Sequence, residues 1–165
     1  MKLLYVEDDF ITADQAKDII QFYKKNVHRT FEYHNTYPLD IADHYHNEYP
    51  LNTIVDKISR ICKGFVSDIE LDNTDIQIVR RVINSSMEYH TDKPGDKIQF
   101  DDVLAGVLYL NDNYSGGSTG FESFQVEPKL GRLIVFSNSY YRHCVNEVRG
   151  DDRYTLATWF FKGKN

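Results

Sequence analysis

The sequence predicts an α+β protein in which helices come first and an all-β functional core, a sandwich or a barrel, follows. Three observations point there. Apolar residues recur at helical spacing only in the stretch before about residue 70. From about Asp75 the rhythm changes to short runs rich in β-branched and aromatic residues. Those runs are separated by Gly- and Pro-bearing turns, "KPGD", "NYSGGST", "EPKLG" and "VRGDD".

The first helix is expected in "TADQAKDIIQFYKKN", where Thr12 and Gln15 fit a capping box and Ala16, Ile19, Ile20 and Tyr23 share a face. A second is expected in "LNTIVDKISRICKGF", with Ile54, Val55, Ile58, Ile61, Cys62 and Phe65 as its apolar stripe. Between them "FEYHNTYPLDIADHYHNEYP", punctuated by Pro38 and Pro50, reads as a loop and a flap over the site. The strand runs are "DIQIVRRVI", "SMEYHTD", "VLAGVLYLND", "GFESFQVE", "GRLIVFSN", "YRHCVN" and "RYTLATWFF". Both helices should pack on the outside of one sheet. With no linker-like composition, residues 1–165 are expected to form one domain, helical to about residue 70 and β from about 75 to 161.

Composition narrows the function classes. A chain of 165 residues, 41% hydrophobic and 27% charged, is of ordinary globular make-up. No apolar run approaches the roughly 20 residues of a membrane span. The start, "MKLLYVEDDFITADQ", turns acidic too early for a secretory signal. A net charge of -6 without a block of Lys or Arg argues against a nucleic-acid partner. Cys62 and Cys144 form neither a disulfide framework nor a CxxC pair, so reduced thiols in a cytoplasmic protein are expected.

The chemistry lies in the strands. Successive strand residues face opposite ways, so His90 and Asp92 of "HTD" project from one face. They supply two metal ligands, and His143 of "YRHCVN" is the best third. Two histidines and one carboxylate leave positions open on the metal, which suits Fe(II) oxygen chemistry. Cys144 alternates away from His143 and reads as packing. In the last strand Arg153, Thr155, Ala157 and Trp159 share a face. A guanidinium pointing into a barrel needs an anion, either a small carboxylate ligand or an ion pair with Glu147 or Asp152. His44, His46 and Glu48 also have same-face metal spacing, but lie between prolines and read as loop. Gly116 and Gly117 lack the Lys-Ser/Thr of a phosphate cradle and read as a hairpin turn.

In this order, "HTD", "LYLNDNYSGGSTGF", "VEPKLGRLIVFSN" and "HCVNEVRGDDRYTLATWF", spread over residues 75 to 161, resemble the Fe(II)- and 2-oxoglutarate-dependent dioxygenases, prolyl-4-hydroxylase-like branch. The resemblance implies a double-stranded β-helix (jelly-roll) core with Fe(II) held by His90, Asp92 and His143. It implies 2-oxoglutarate as co-substrate, its distal carboxylate gripped by Arg153 with the Tyr109 hydroxyl beside it, and Thr155 and Trp159 lining the same pocket. It further implies O2, ascorbate as a reductant, and hydroxylation of a C–H bond. Halogenating relatives carry a small residue where this chain has Asp92.

Two departures separate the chain from hydroxylases of prolyl peptides. Asp101 and Asp102 stand where an arginine is common, and "RRVINSSMEYH" lacks the usual Tyr and Gly spacing. The substrate is therefore left as a peptide, a protein or a small molecule, with selectivity expected in residues 31–50 and the "KPGD" loop. A catalytically silent jelly-roll binding module and a cupin-type Zn or Mn enzyme stay open at this point.

Overall fold

The computed structural model describes residues 2–92 and 103–162. The "KPGD" loop, Asp101 and Asp102 lie outside the described residues.

The N-terminal part holds β1 (Leu4–Glu7), α1 (Ala13–Lys25), β2 (Thr36–Asp40) and α2 (Leu51–Phe65). The capping box closes as expected: the Gln15 N–H donates to Thr12 Oγ1 at 3.2 Å and the Thr12 N–H to Gln15 Oε1 at 3.0 Å. Strands then follow: β3 (Ile69–Arg81), β4 (Met87–His90), β5 (Val103–Tyr109), β6 (Ser115–Gly116) and β7 (Thr119–Phe121). The remainder are β8 (Phe124–Val126), β9 (Leu133–Ser137), β10 (His143–Val145), β11 (Val148–Arg149) and β12 (Arg153–Lys162).

Among the described residues these strands form a six-stranded sheet in the order β1-β9-β5-β12-β3-β2 and a four-stranded sheet in the order β4-β10-β7-β8, with β11 and β6 as a separate pair. Every pairing is antiparallel. This is the jelly-roll core of an α+β protein. The larger sheet has two apolar faces, and each buries a different cluster. One face, with Ile76, Ile78, Leu104, Leu108, Leu133, Val135, Leu156 and Phe160, packs under the helices against Ile19, Tyr23, Ile54, Val55 and Ile58. The other face gathers Ala105, Tyr109, Ile134 and Phe136 with Phe121 and Val126 of the smaller sheet, and Trp159 packs against them. The site lies on this second side.

Three sequence expectations change. "TYPLD" is a strand, not loop: β2 pairs with β3 at one edge of the large sheet, and the edge tolerates Pro38 because no ladder partner needs its missing N–H. β1 forms the other edge, paired with β9. The segment read as a flap instead sends Leu39, Ile41 and Tyr45 into the helix-side core. Finally, Phe65 is 40% exposed, its ring 5.3 Å from that of Tyr5, so the stripe of α2 ends a turn earlier at the buried Cys62. Among the described residues no helix is long and apolar enough to cross a membrane.

Candidate active site

The site is built by strand pairing. β4 and β10 pair so that His90 stands opposite His143, and their imidazole centroids come within 4.3 Å. Asp92 follows two residues after His90, on the same side. Its Oδ1 lies 3.2 Å from His90 Nε2 and its Oδ2 3.5 Å from His143 Nε2. One ligand atom from each of the three falls within 4.8 Å of the others. Among the described residues this is the single group of His, Cys, Asp or Glu with that geometry, so His44, His46 and Glu48 do not form a second.

The surroundings hold each donor in place. His90 Nδ1 lies 2.8 Å from the Glu88 carbonyl, an arrangement that puts the ring proton on Nδ1 and leaves the Nε2 lone pair facing Asp92. The Trp159 indole N–H donates to Asp92 Oδ2 at 2.9 Å. Asn138 clamps the Asp92 backbone, accepting its N–H at 2.8 Å and donating to its carbonyl. Phe136 meets the His143 ring edge-on at 4.8 Å.

Electrostatics follow from this packing. Burial by itself would push the Asp92 carboxyl up, but the His90 hydrogen bond, the His143 charge and the Trp159 N–H outweigh it and hold the carboxyl below its ordinary value. The Asp92 carboxylate, accepting from Nε2 of the protonated ring, raises His90 against the opposing effect of burial. Burial dominates at His143 and lowers it, favouring the neutral imidazole that ligates metals.

The last strand supplies the neighbouring pocket. Arg153, Thr155 and Ala157 are buried on one face of β12, and Trp159 lies on that face as alternation requires. Arg153 Nε donates to the Gly117 carbonyl at 3.0 Å, and its guanidinium carbon lies 5.1 Å from the Tyr109 ring centroid. Neither alternative ion pair forms: Glu147 pairs with Arg149 and Asp152 with Arg80. Gly117 sits at φ +65°, and a Cβ there would come within 2.7 Å of the Tyr114 ring and 3.3 Å of Arg153 Cδ, so the turn must be glycine for the arginine to lie flat.

Tyr109 is fully buried, with its hydroxyl 2.7 Å from Thr119 Oγ1 and accepting the Thr119 N–H at 3.1 Å. Thr155 stands across from it on β12. Three residues here escaped the sequence reading. Tyr114 carries a buried hydroxyl without a hydrogen-bond partner among the described residues, and burial pushes its pKa up while the Arg153 charge opposes. Arg81 is 2% exposed and stands directly opposite Arg153 in the β3–β12 pairing. Asn138 is the third. Tyr114 and Asn138 sit inside the quoted motifs, where they look like turn residues; Arg81 was hidden by Arg80 beside it.

Two imidazole nitrogens and one carboxylate oxygen, converging beside a buried guanidinium, are a donor set that fits Fe(II) and a carboxylate-bearing co-substrate. Fold and site together define a jelly-roll, non-haem iron oxygenase. The model for the 2OG-Fe(II) oxygenase superfamily matches residues 76–161, and the chain belongs to that family, with Fe(II) and 2-oxoglutarate as cofactor and co-substrate. A search of curated protein sequences returns no match.

Solved structures agree on the fold. The 2OG complex of viral collagen prolyl hydroxylase from Paramecium Bursaria Chlorella virus-1 superposes with a TM-score of 0.72 at 17% identity, covering 98% of this chain and 96% of that one. A prolyl hydroxylase from Trichoplax adhaerens, in complex with a hypoxia inducible factor oxygen degradation domain peptide fragment, gives 0.71 at 16% identity over 96% and 83% of the chains. HygX from Streptomyces hygroscopicus, with nickel, 2-oxoglutarate and hygromycin B bound, gives 0.70 at 12% identity over 96% and 82%.

Proposed function

We propose that His90, Asp92 and His143 hold Fe(II), that Arg153 receives the distal carboxylate of 2-oxoglutarate, and that the chain couples decarboxylation of this co-substrate to hydroxylation of a substrate C–H bond. The observation that carries the reading is the convergence of three metal donors beside a buried guanidinium that no carboxylate of the described residues neutralises. When bound, the iron supplies the activation of O2 needed to oxidise an unactivated C–H bond as 2-oxoglutarate becomes succinate and CO2.

The chain's own residues prepare this chemistry. The Glu88 carbonyl fixes the His90 tautomer, and Trp159 and Asn138 orient Asp92. Ile134, Phe136 and Phe121 wall the site with buried apolar surface, which excludes water and strengthens each charge interaction inside. Arg153 orients the co-substrate, and Tyr109 beneath it supports the guanidinium through its ring face.

A peptidyl substrate is the leading class. From His143 a train of rings runs outward through Phe136 and Phe121 to Phe124 and Tyr141, with ring separations between 4.8 and 5.5 Å, ending at Phe124, which is 37% exposed. Such a rim suits an extended chain carrying an apolar side chain or ring. Two of the neighbours named above are prolyl hydroxylases, and the third has hygromycin B bound, so small molecules form the second class.

The test is turnover. Purified protein with Fe(II), ascorbate and 1-labelled 2-oxoglutarate should release labelled CO2 and succinate slowly alone, and faster with a true substrate. Peptide and small-molecule pools then separate the two classes. Failure to bind either metal or co-substrate would remove the reading.

A further inference from the structure

We propose that Arg81 joins Arg153 in the seat for the distal carboxylate of 2-oxoglutarate, so that the co-substrate is gripped by two guanidiniums. The inference rests on the co-substrate reading above and adds a residue to it.

Strand register puts the two arginines side by side. Arg81 and Arg153 are direct partners across the antiparallel β3–β12 pairing, so their side chains leave the same face of the sheet. That face is the one carrying Thr155 and Ala157 toward the site. Arg80, one residue earlier, points the other way, where it pairs with Asp152 at 2.9 Å and lies over the Tyr37 ring.

Their charges call for an anion. Arg81 is 2% exposed and Arg153 4% exposed, and no carboxylate of the described residues pairs with either. Like charges directly opposite each other on a sheet are destabilising, and burying both deepens the cost. Arg81 Nη1 donates to the carbonyls of His34 at 3.3 Å and Ser86 at 3.1 Å, while its Nε is buried without a hydrogen-bond partner among the described residues. Neutral carbonyls satisfy hydrogens but cancel no charge. Burial first, and Arg153 second, lower the Arg81 pKa to about 10, as an uncompensated pair of cations requires.

A single anion reaching both guanidiniums resolves these costs together. A carboxylate has two oxygens with several acceptor directions, enough for one arginine fork on each side. The backbone carbonyls of His34, Ser86 and Gly117 hold the two side chains in position before the ligand arrives.

The experiment compares Arg81→Gln and Arg81→Lys with the unaltered chain, all loaded with Mn(II). Calorimetric affinities are measured for 2-oxoglutarate and for 2-oxobutyrate, which keeps the keto acid and lacks the distal carboxylate. Arg81→Gln should weaken 2-oxoglutarate by about tenfold or more and leave 2-oxobutyrate within about twofold, because one charged hydrogen-bonding partner is lost from one end of the ligand only. Arg81→Lys should fall between. If both keto acids weaken equally, Arg81 is structural; if neither weakens, it lies outside the seat, and either result overturns the proposal. Should Arg81→Gln fail to fold, the Arg81→Lys comparison decides by the same criterion. Arg153→Gln serves as the reference: loss of the 2-oxoglutarate preference there but not at Arg81 sinks this inference alone, whereas an unaltered chain that prefers neither keto acid sinks the co-substrate reading.

Discussion

Trp159 donates its indole N–H to the same Asp92 carboxylate that both His90 and His143 face. This one contact joins the last strand of the large sheet to the metal donors of the smaller one. Replacing Trp159 by Phe keeps most of the ring volume and removes the donor. Metal affinity should fall by about 10- to 100-fold, the usual effect of losing a group that orients a ligand. Titration with Mn(II) or Co(II) reads this directly, and an unchanged affinity would show that Asp92 is oriented without Trp159.

Asn138 acts on the backbone of the same ligand. Its side-chain amide both accepts from and donates to the Asp92 main chain, so Asn138→Ala frees the end of that segment. Metal affinity should drop while the melting temperature changes little. The contrast is with Asp92→Ala, which removes a metal donor and should weaken metal binding further still and abolish hydroxylation. A large loss of stability in Asn138→Ala, with normal affinity for metal, would contradict the positioning role.

The helix-side core offers a graded test of packing. Ile58 is fully buried between α2 and the large sheet, and Ile58→Ala should cost about 2–5 kcal/mol through lost burial and the cavity left behind. Phe65 on the same helix is 40% exposed, and Phe65→Ala should cost far less. Urea unfolding of both variants gives the comparison. Equal costs would mean that the stripe of α2 extends to its last turn after all.

Alkaline pH should destabilise the fold. Burial pushes Cys62 up to about 12 and Tyr23 up to about 12, while their ordinary values are 9.0 and 10.0. In the unfolded chain both groups lose protons near their ordinary values; in the native state they hold them. Their contribution is therefore fully present below about pH 9 and is lost as pH rises toward about 12. Melting temperatures measured from pH 8 to 11 should decline, and Cys62→Ala should make the decline shallower relative to its own value at pH 8. The same burial predicts that Cys62 resists alkylation in the folded chain at neutral pH.

Much of this was legible in the chain because it is local. Period-2 alternation put His90 with Asp92 and Arg153 with Thr155 on common faces, helical spacing marked α1 and α2, and a capping box fixed the start of α1. The strands β1 and β2 were not legible, since short edge strands carry little burial pattern and "TYPLD" contains a proline that reads as loop. Nor could the sequence say which member of the Arg80–Arg81 pair turns inward.

By itself, then, the sequence determined the α+β order, the helices, most strands and the parity of each site residue along its own strand, because those depend on neighbours a few positions apart. Only the tertiary structure decided that His143 stands opposite His90, that Trp159 reaches Asp92, and that two arginines 72 positions apart in number face each other in the pairing of β3 with β12. Those relations are set by the register of strands distant in the chain. Register follows from the burial of both faces of the large sheet at once, under the helices on one side and around the site on the other.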